Sequence, residues 1–301
     1  MKRNVLNSPG LLELKKRRQK VFLNKIFISL FLVLVIFLLL AYFSRLGGVN
    51  INKVEITGNK VLDTEALKQA VEDKIAGKYL WLFPKSNILI YPQNNIKDEL
   101  QNEFKRIKDI SLVIKNNKIL SVSVNERVAK YTWCGIKAPD VGRSTSGAEQ
   151  KCYFLDEDGY IFDEAPYFSG EVYFKFYGVT DVGRQEIGRP TSVNNPAGSY
   201  FSEQNFKQLV TFKEILTSIG LKPIALNILN NEDAEIILLN EALSTNEPKI
   251  IFKMNDNFQN VVENLQAALN TEPLKSKFKN KYSTLQYIDL RFENKVYDKF
   301  Q

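Results

Sequence analysis

The chain has 301 residues, of which 44% are hydrophobic and 25% are charged. This composition excludes an intrinsically disordered chain, and the length allows two domains of ordinary size. The net charge of +7 lies in residues 1–25, where eight residues are basic and one is acidic. The remaining chain is neutral overall, so its charge gives no sign of nucleic-acid binding.

A stretch without charged residues, IFISLFLVLVIFLLLAYF, follows at residues 26–43. As a helix it would be about 27 Å long, at ~1.5 Å per residue, close to the thickness of the hydrocarbon core of a bilayer. The residues after Ala41 do not resemble a signal-peptide cleavage site. We therefore predict an uncleaved transmembrane helix at residues 26–45. The alternative is a buried core helix, but soluble helices of this length rarely lack a polar face.

The basic residues before this helix predict its orientation. Lysine and arginine are retained on the cytoplasmic side of a membrane, so residues 1–25 would form a cytoplasmic tail. The bulk of the chain would then lie outside the cytoplasm. The sequence thus predicts a single-pass, type II protein of the cell membrane.

The first folded segment after the helix, residues 49–127, predicts the element order β-α-α-β-β. An alternating apolar run gives the first strand, and Asp63 can cap the helix that follows. A second helix begins after Pro92, and two strands flank a turn at Asn116-Asn117. Between the helices, aromatic residues either close the core of this small domain or form an exposed contact patch. These aromatic residues are Trp81, Phe83 and Tyr91.

Residues 128–301 predict a β-rich α+β domain with a mostly antiparallel sheet. Alternating runs typical of strands surround two segments with helical periodicity, FKQLVTFKEILTSIG and NFQNVVENLQAAL. The segment 180–200 is rich in Gly, Pro and Asn and is predicted to be a loop.

Motifs along the whole chain occur in the same order in one protein family. The matching residues at the two ends of the first folded segment are Val54, Ile56, Gly58, Asn59, Val122, Val124, Glu126, Arg127 and Ala129. Farther on, CYFLDEDGYIF is similar to a hairpin with an Asp-x-x-Gly turn, and YIDLRF at 287–292 is similar to a near-terminal strand. In these features the chain resembles the FtsQ/DivIB family of bacterial cell-division proteins, although Val128 replaces a usual proline.

The resemblance implies a fold and a function. Residues 49–127 would form a POTRA domain of the FtsQ type, followed by a β domain. The protein would be a scaffold of the divisome at the division septum, linking membrane-anchored division proteins to septal peptidoglycan synthesis. Its implied partners are FtsB/DivIC-like and FtsL-like proteins. No enzyme activity, cofactor, metal ion or small-molecule substrate is expected.

The two cysteines, Cys134 and Cys152, end one predicted strand and begin the next. A disulfide between them would close the base of a long hairpin, and it would persist outside the cytoplasm. Two free thiols are the alternative. A metal site is less favoured, because two thiols without a histidine make a poor ligand set.

The C-terminal stretch LQYIDLRFENKVYDKF is the predicted partner-binding site. In the FtsQ/DivIB family the partner adds to the sheet near the Asp-Leu-Arg strand, which implies Arg291 and Phe292 as contacts. We extend the site to Val296 and Tyr297. Arg291 would meet an acidic group of the partner and Phe292 would be an aromatic anchor. Large apolar residues near a chain end can also simply pack against the core, so this alternative stays open.

Catalytic chemistry has little support in the sequence. The chain has no histidine, which excludes a Ser-His-Asp triad, a Cys-His pair and His-ligated metal sites. The acidic run Asp156, Glu157, Asp158 could bind a hard cation, but the pattern favours a solvated turn. Two other functions remain open: a membrane-anchored cell-wall hydrolase with a carboxylate pair, and a POTRA-type chaperone for exported polypeptides.

Overall fold

The computed structural model has an α+β fold with an apolar N-terminal helix. It describes residues 9–135, 151–168, 170–178, 197–202, 205–230, 232–240, 247–254, 257–292 and 295–301. Most of the predicted loop at 180–200 lies outside the described residues, as does the chain at 136–150. The chain divides into two compact units. The first runs to Glu103 and includes Asp109–Asn125, and the second consists of Phe104–Lys108 and Glu126–Gln301.

Helix α1 (Pro9–Ser44) contains the predicted transmembrane segment. Its part from Arg17 to Ser44 is long and apolar enough to cross a membrane, with a mean hydropathy of 3.1 in its most apolar window. Only 6% of that window is buried within the protein. A long helix with apolar side chains exposed all round is stable where lipid replaces water.

After helix α1, the first unit continues with two further α-helices and a three-stranded sheet, with a small hairpin between these helices. Its elements are β1 (Lys53–Thr57), α2 (Thr64–Ile75), β2 (Lys78–Tyr79), β3 (Phe83–Pro84), α3 (Gln93–Glu103), β4 (Ile107–Lys115) and β5 (Ile119–Glu126). The sheet order is β1-β5-β4, with β1 parallel to β5. The sequence pattern did not predict the β2–β3 hairpin. Strand β4 begins with residues that belong to the second unit.

Local sequence signals explain the ends of these elements. The carboxylate of Asp63 accepts a hydrogen bond of 2.8 Å from the backbone N–H of Ala66, which confirms the predicted helix cap. Asn116 and Asn117 both have a positive φ, 52° and 53°, as a tight hairpin turn between twisted strands requires. The helices bury a stripe of apolar residues spaced three or four apart. These residues are Leu67, Val71, Ile96 and Leu100.

In its described residues the second unit contains a ten-stranded sheet and three α-helices. The strands are β6 (Tyr131–Trp133), β7 (Cys152–Leu155), β8 (Tyr160–Ala165), β9 (Lys175–Tyr177), β10 (Ser199–Tyr200), β11 (Pro223–Ile228), β12 (Asp233–Leu238), β13 (Lys249–Lys253), β14 (Leu285–Phe292) and β15 (Lys295–Phe300). The helices are α4 (Phe206–Ser218), α5 (Phe258–Asn270) and α6 (Leu274–Lys281). Strands β5 and β6 follow each other closely in the chain but belong to different sheets.

The large sheet is mixed. Its order is β10-β8-β7-β6-β9-β11-β12-β13-β14-β15. Strand β9 runs parallel to both β6 and β11, and β13 runs parallel to β14, whereas the other described pairings are antiparallel. The prediction of a mostly antiparallel sheet did not anticipate these parallel pairings. They arise because longer connections, one of them with helix α5, separate the paired strands.

One face of this sheet carries the core. Alternate side chains of β12 and β13 point to it and are fully buried, for example Ile236 and Phe252. Helices α4 and α5 supply the facing residues, among them Leu209, Phe212 and Leu265. The opposite face holds the intervening residues of each strand, since side chains alternate along a strand.

Candidate partner-binding site

The C-terminal hairpin, β14 and β15, ends the large sheet. Its strands are antiparallel, with Asp289 opposite Tyr297 and Phe292 opposite Lys295. The register shifts between Asp289 and Phe292, which marks an irregularity of the kind that a bulge produces. Within the described part of the chain, no strand pairs with the outer edge of β15. The hairpin therefore offers a sheet edge that another strand can extend.

Phe292 and Tyr297 form an exposed aromatic pair on this hairpin. Their ring centroids are 5.2 Å apart and the ring planes meet at 80°. Phe292 is 49% exposed and Tyr297 is 48% exposed. The rings thus contact each other edge to face while about half of each side chain remains exposed.

Arg291 is engaged inside the protein rather than free for a partner. Its Nε and Nη2 donate to the two carboxylate oxygens of Asp289 at 3.0 and 2.7 Å, and its Nη1 donates to Asp233 at 3.0 Å. These hydrogen bonds raise the pKa of Arg291 above its usual value, and the bonds to Asp289 contribute most. The guanidinium carbon lies 6.0 Å from the centroid of the Phe292 ring. Arg291 therefore fixes the position of the aromatic pair by tying β14 to β12.

Asp289 and Asp233 were not predicted as site residues. Asp289 lies two residues before Arg291, so the two side chains share one face of β14, and this spacing was a usable signal. Asp233 belongs to a strand 58 residues away in sequence, and only the strand order brings it to Arg291.

Val296 lies on the other face of the hairpin. It is partly buried and packs against the core, as does Phe300. The alternation along β15 therefore separates the predicted pair, with Tyr297 outside and Val296 inside. For Val296 the structure thus shows the packing against the core that the sequence left open as the alternative.

Tyr297 is one end of a row of residues in register across the outer face of the sheet. The row consists of Tyr177, Asn227, Glu235, Ile251, Asp289 and Tyr297. Within it, Asn227 Nδ2 donates to Glu235 Oε1 at 3.1 Å. Three exposed lysines lie on the strands beside this row: Lys253, Lys295 and Lys299. This face thus carries the Tyr297 ring and exposed lysine side chains.

The two cysteines are joined. Their sulfur atoms are 2.03 Å apart and their Cα atoms 4.1 Å apart, between the end of β6 and the start of β7. The disulfide crosslinks neighbouring antiparallel strands at the base of the segment 136–150. The disulfide thus covalently links β6 to β7, far in sequence from the C-terminal hairpin.

The acidic run forms a turn whose first member is buried. The Asp156 carboxylate accepts a hydrogen bond of 2.9 Å from the N–H of Asp158 and pairs with Arg127. The Asp156 side chain is only 3% exposed, whereas the Glu157 side chain is 63% exposed, so the prediction of a solvated turn fails for Asp156 alone. Glu157 pairs with Lys108 at 2.7 Å, which lowers the pKa of the Glu157 carboxyl. Among the residues that the structure describes, no cluster suited to a metal ion is present.

Ser276 and Lys279 have the Ser-x-x-Lys spacing that serine acyltransferases use. Both side chains are exposed on α6. The Ser276 hydroxyl donates to a Glu272 carboxylate oxygen at 2.7 Å. This arrangement gives no argument for a serine nucleophile.

A scan against protein-family models and a search of the curated proteins gave no match for this sequence. A functional assignment therefore rests on the residues, on their geometry and on the order of the motifs.

Proposed function

We propose that this chain is a membrane-anchored scaffold that binds another protein through its C-terminal hairpin. The observation that carries the proposal is the Phe292–Tyr297 pair, half exposed beside the open edge of β15. A partner strand added to β15 gains backbone hydrogen bonds from the edge and apolar contact from the two rings. Aromatic residues of this kind commonly carry most of the binding energy at an interface.

The partner is a division protein. This part of the proposal rests on the motif order that the chain shares with the FtsQ/DivIB family, and it takes FtsB/DivIC-like and FtsL-like proteins as partners. The first unit then contains a POTRA domain, for which the order β1-α2-α3-β4-β5, with the β2–β3 hairpin between the helices, is the supporting observation. The protein is a non-enzymatic part of the divisome that connects its partners to septal peptidoglycan synthesis.

The helix α1 is the anchor. Residues 1–25 stay in the cytoplasm because of their basic charge, and the chain from residue 46 onward lies on the opposite side of the cell membrane. The length and hydropathy of α1 support the span, and the charge asymmetry of the sequence supports its direction.

Fluorescence microscopy of dividing cells tests this function. A full-length fusion should concentrate at the septum and should co-purify with an FtsB-like protein from detergent extracts. A fusion spread evenly around the membrane of dividing cells would contradict the divisome assignment. Septal localisation without co-purification would contradict the C-terminal hairpin as the partner site.

A further inference from the structure

The β2–β3 hairpin of the first unit exposes large apolar side chains at its tip. Leu80 is 76% exposed and Trp81 is 89% exposed, and nearby Leu89 is 83% exposed. Leu80 and Trp81 also have a positive φ, 46° and 61°, which is rare for bulky residues. A strained backbone that presents a tryptophan to the outside calls for a functional explanation.

The hairpin packs against the last turns of helix α1. The ring of Phe83 meets the ring of Phe37 at a centroid distance of 5.2 Å, with the planes at 72°. Arg45 Nε donates to the backbone carbonyl of Leu82 at 3.2 Å. Ala41, one turn after Phe37, is only 5% exposed although it belongs to an otherwise exposed helix. The hairpin therefore covers the side of α1 that carries Phe37 and Ala41.

Buried amide contacts join the following segment to the end of the helix. Asn87 is 4% exposed, and its Nδ2 donates to the carbonyl oxygen of Ser44 at 3.1 Å and to the Ser44 hydroxyl at 3.2 Å. The side chain of Asn50 also donates to the Ser44 carbonyl oxygen, at 3.1 Å. These hydrogen bonds fix the position of the hairpin along the axis of α1.

This position along α1 places the hairpin at the level of the hydrocarbon core of the bilayer. The uncharged residues between Lys25 and Arg45 form a helix about 28 Å long, barely enough for the ~30 Å hydrocarbon core. Phe37 precedes Arg45 by eight residues, or about 12 Å along the axis. If the bilayer encloses the whole uncharged run, Phe83 lies beside hydrocarbon rather than beside water.

We propose that the β2–β3 hairpin is a membrane wedge, with Leu80 and Trp81 inserted into the leaflet at the C-terminal end of α1. This inference rests on the proposed membrane span. Tryptophan favours the boundary between hydrocarbon and headgroups. Lys78 and Lys85 flank the hairpin and can reach lipid phosphates from that depth. The wedge gives the first unit a second point of attachment and so fixes its orientation on the membrane.

The backbone of the hairpin has the internal hydrogen bonds that a segment inside a membrane needs. Buried peptide groups in a membrane need internal hydrogen bonds. Lys78 pairs with Pro84 and Tyr79 with Phe83 across the hairpin, and the Leu82 N–H donates to the Tyr79 carbonyl at 3.0 Å. The Leu82 carbonyl is the acceptor for Arg45 described above. A closed hairpin of this kind can enter a leaflet without exposing these groups.

Tryptophan fluorescence tests the wedge directly, because the chain has two tryptophans. The other, Trp133, is 7% exposed and donates through Nε1 to the Gly178 carbonyl at 2.9 Å. The full-length Trp133→Phe variant should be reconstituted into phosphatidylcholine/phosphatidylglycerol vesicles, with and without lipids brominated near the headgroup. If that variant misfolds, the difference between the parent protein and Trp81→Phe isolates the same emission.

We expect blue-shifted Trp81 emission that brominated lipid quenches at least about twofold. In the Trp81→Phe variant, the remaining emission of Trp133 should be unaffected by the brominated lipid. Alkaline carbonate extraction of the same vesicles tests separately whether α1 spans the bilayer, because it removes proteins that are only bound to the membrane surface. A chain that resists extraction but shows unquenched Trp81 overturns the wedge and leaves the anchor intact. Extraction of the chain overturns the anchor itself. Blue-shifted but unquenched emission means that another protein surface covers Trp81, which also overturns the wedge.

Discussion

Phe292 and Tyr297 pack edge to face across the β14–β15 hairpin, with ring centroids 5.2 Å apart. Each ring remains about half exposed, at 49% and 48%. Their contact is thus too exposed to be a main source of stability, yet it pre-organises an apolar surface next to an open edge strand. Preorganisation of this type favours binding because less side-chain freedom is lost on association.

The double variant Phe292→Ala, Tyr297→Ala should lose about 2 kcal/mol or more of partner binding, roughly a 30-fold weaker affinity. Loss of the aromatic pair should lower the free energy of unfolding by no more than about 1.5 kcal/mol. Titration of the proposed FtsB-like partner against the full-length protein in detergent measures the first effect. Tyr167→Ala, at a tyrosine that is 91% exposed, is the matched control and should bind normally. Equal affinity of the double variant and the parent would contradict the site.

Arg291→Lys should destabilise the second unit although it preserves the charge. A lysine cannot make the paired hydrogen bonds to Asp289 while it also reaches Asp233. We expect a loss of about 1–3 kcal/mol in the free energy of unfolding, since two largely buried carboxylates lose donors. Lys253→Ala, at an exposed lysine on β13, should change stability by less than about 0.5 kcal/mol. Similar denaturation midpoints for both variants would show that Arg291 does not tie the strands together.

Reduction of the disulfide should lower the free energy of unfolding by about 3 kcal/mol, because the crosslink closes a loop in the unfolded chain. The sequence separation of Cys134 and Cys152 is 18 residues. Urea denaturation with and without a reductant measures the difference. The Cys134→Ala, Cys152→Ala variant should start from the lower stability and should not respond to reductant. Two free thiols in the unreduced protein by mass spectrometry would refute the crosslink.

Gly58→Ala should be more harmful than Gly77→Ala. Both glycines have left-handed φ, +88° and +85°, so each substitution carries the backbone strain of about 1–2 kcal/mol. At Gly58 the new Cβ would also clash with the backbone carbonyl oxygen of Val124, whereas no atom lies near the new Cβ at Gly77. We expect an additional loss of at least about 1 kcal/mol at Gly58. Thermal unfolding followed by circular dichroism compares the two, and equal melting temperatures would contradict the close approach.

The stability of the second unit should fall at high pH partly through Tyr177. Burial raises the pKa of its hydroxyl, with a further contribution from Glu171 and Glu247. The folded state therefore binds this proton more tightly than the unfolded state. The resulting stabilisation is complete below the unfolded pKa of ~10 and is lost as the pH rises through the higher folded pKa.

A Tyr177→Phe variant lacks this proton, so its melting temperature should fall less steeply than that of the parent above pH ~10. Below that pH the two slopes should agree. Difference absorbance of the phenolate between parent and variant reports the folded pKa directly. A Tyr177 that ionises at its ordinary pKa in the folded protein would refute the prediction.

Local patterns in the sequence were sufficient for the elements that depend on neighbouring residues. The apolar run at residues 26–43 predicted helix α1, Asp63 predicted the cap of α2, and Asn116-Asn117 predicted the turn between β4 and β5. Each signal acts within a few residues of the chain, through side-chain solvation, one capping hydrogen bond or permitted values of φ. These effects do not depend on the rest of the fold.

Local sequence patterns were not sufficient to predict the candidate sites. Alternation in YIDLRF correctly places Ile288 and Leu290 in the core, but it is wrong for Phe292, which is 49% exposed after a register shift. Nor does it reveal that Arg291 reaches Asp233 across an intervening strand. The exposure of Trp81 was left open by the sequence, because an aromatic residue between two helices fits a core as well as a surface.

The sequence by itself determined the apolar helix, the α+β character and the residue alternation of each strand, because these follow from the short-range periodicity of apolar and polar side chains. Only the tertiary structure decided the strand order, the parallel pairings in the large sheet and the position of the β2–β3 hairpin against α1. Those features depend on contacts between residues far apart in the chain. Many alternative strand pairings would bury a similar apolar area. The packing of the whole unit selects one of them, and no single segment of the sequence encodes that packing.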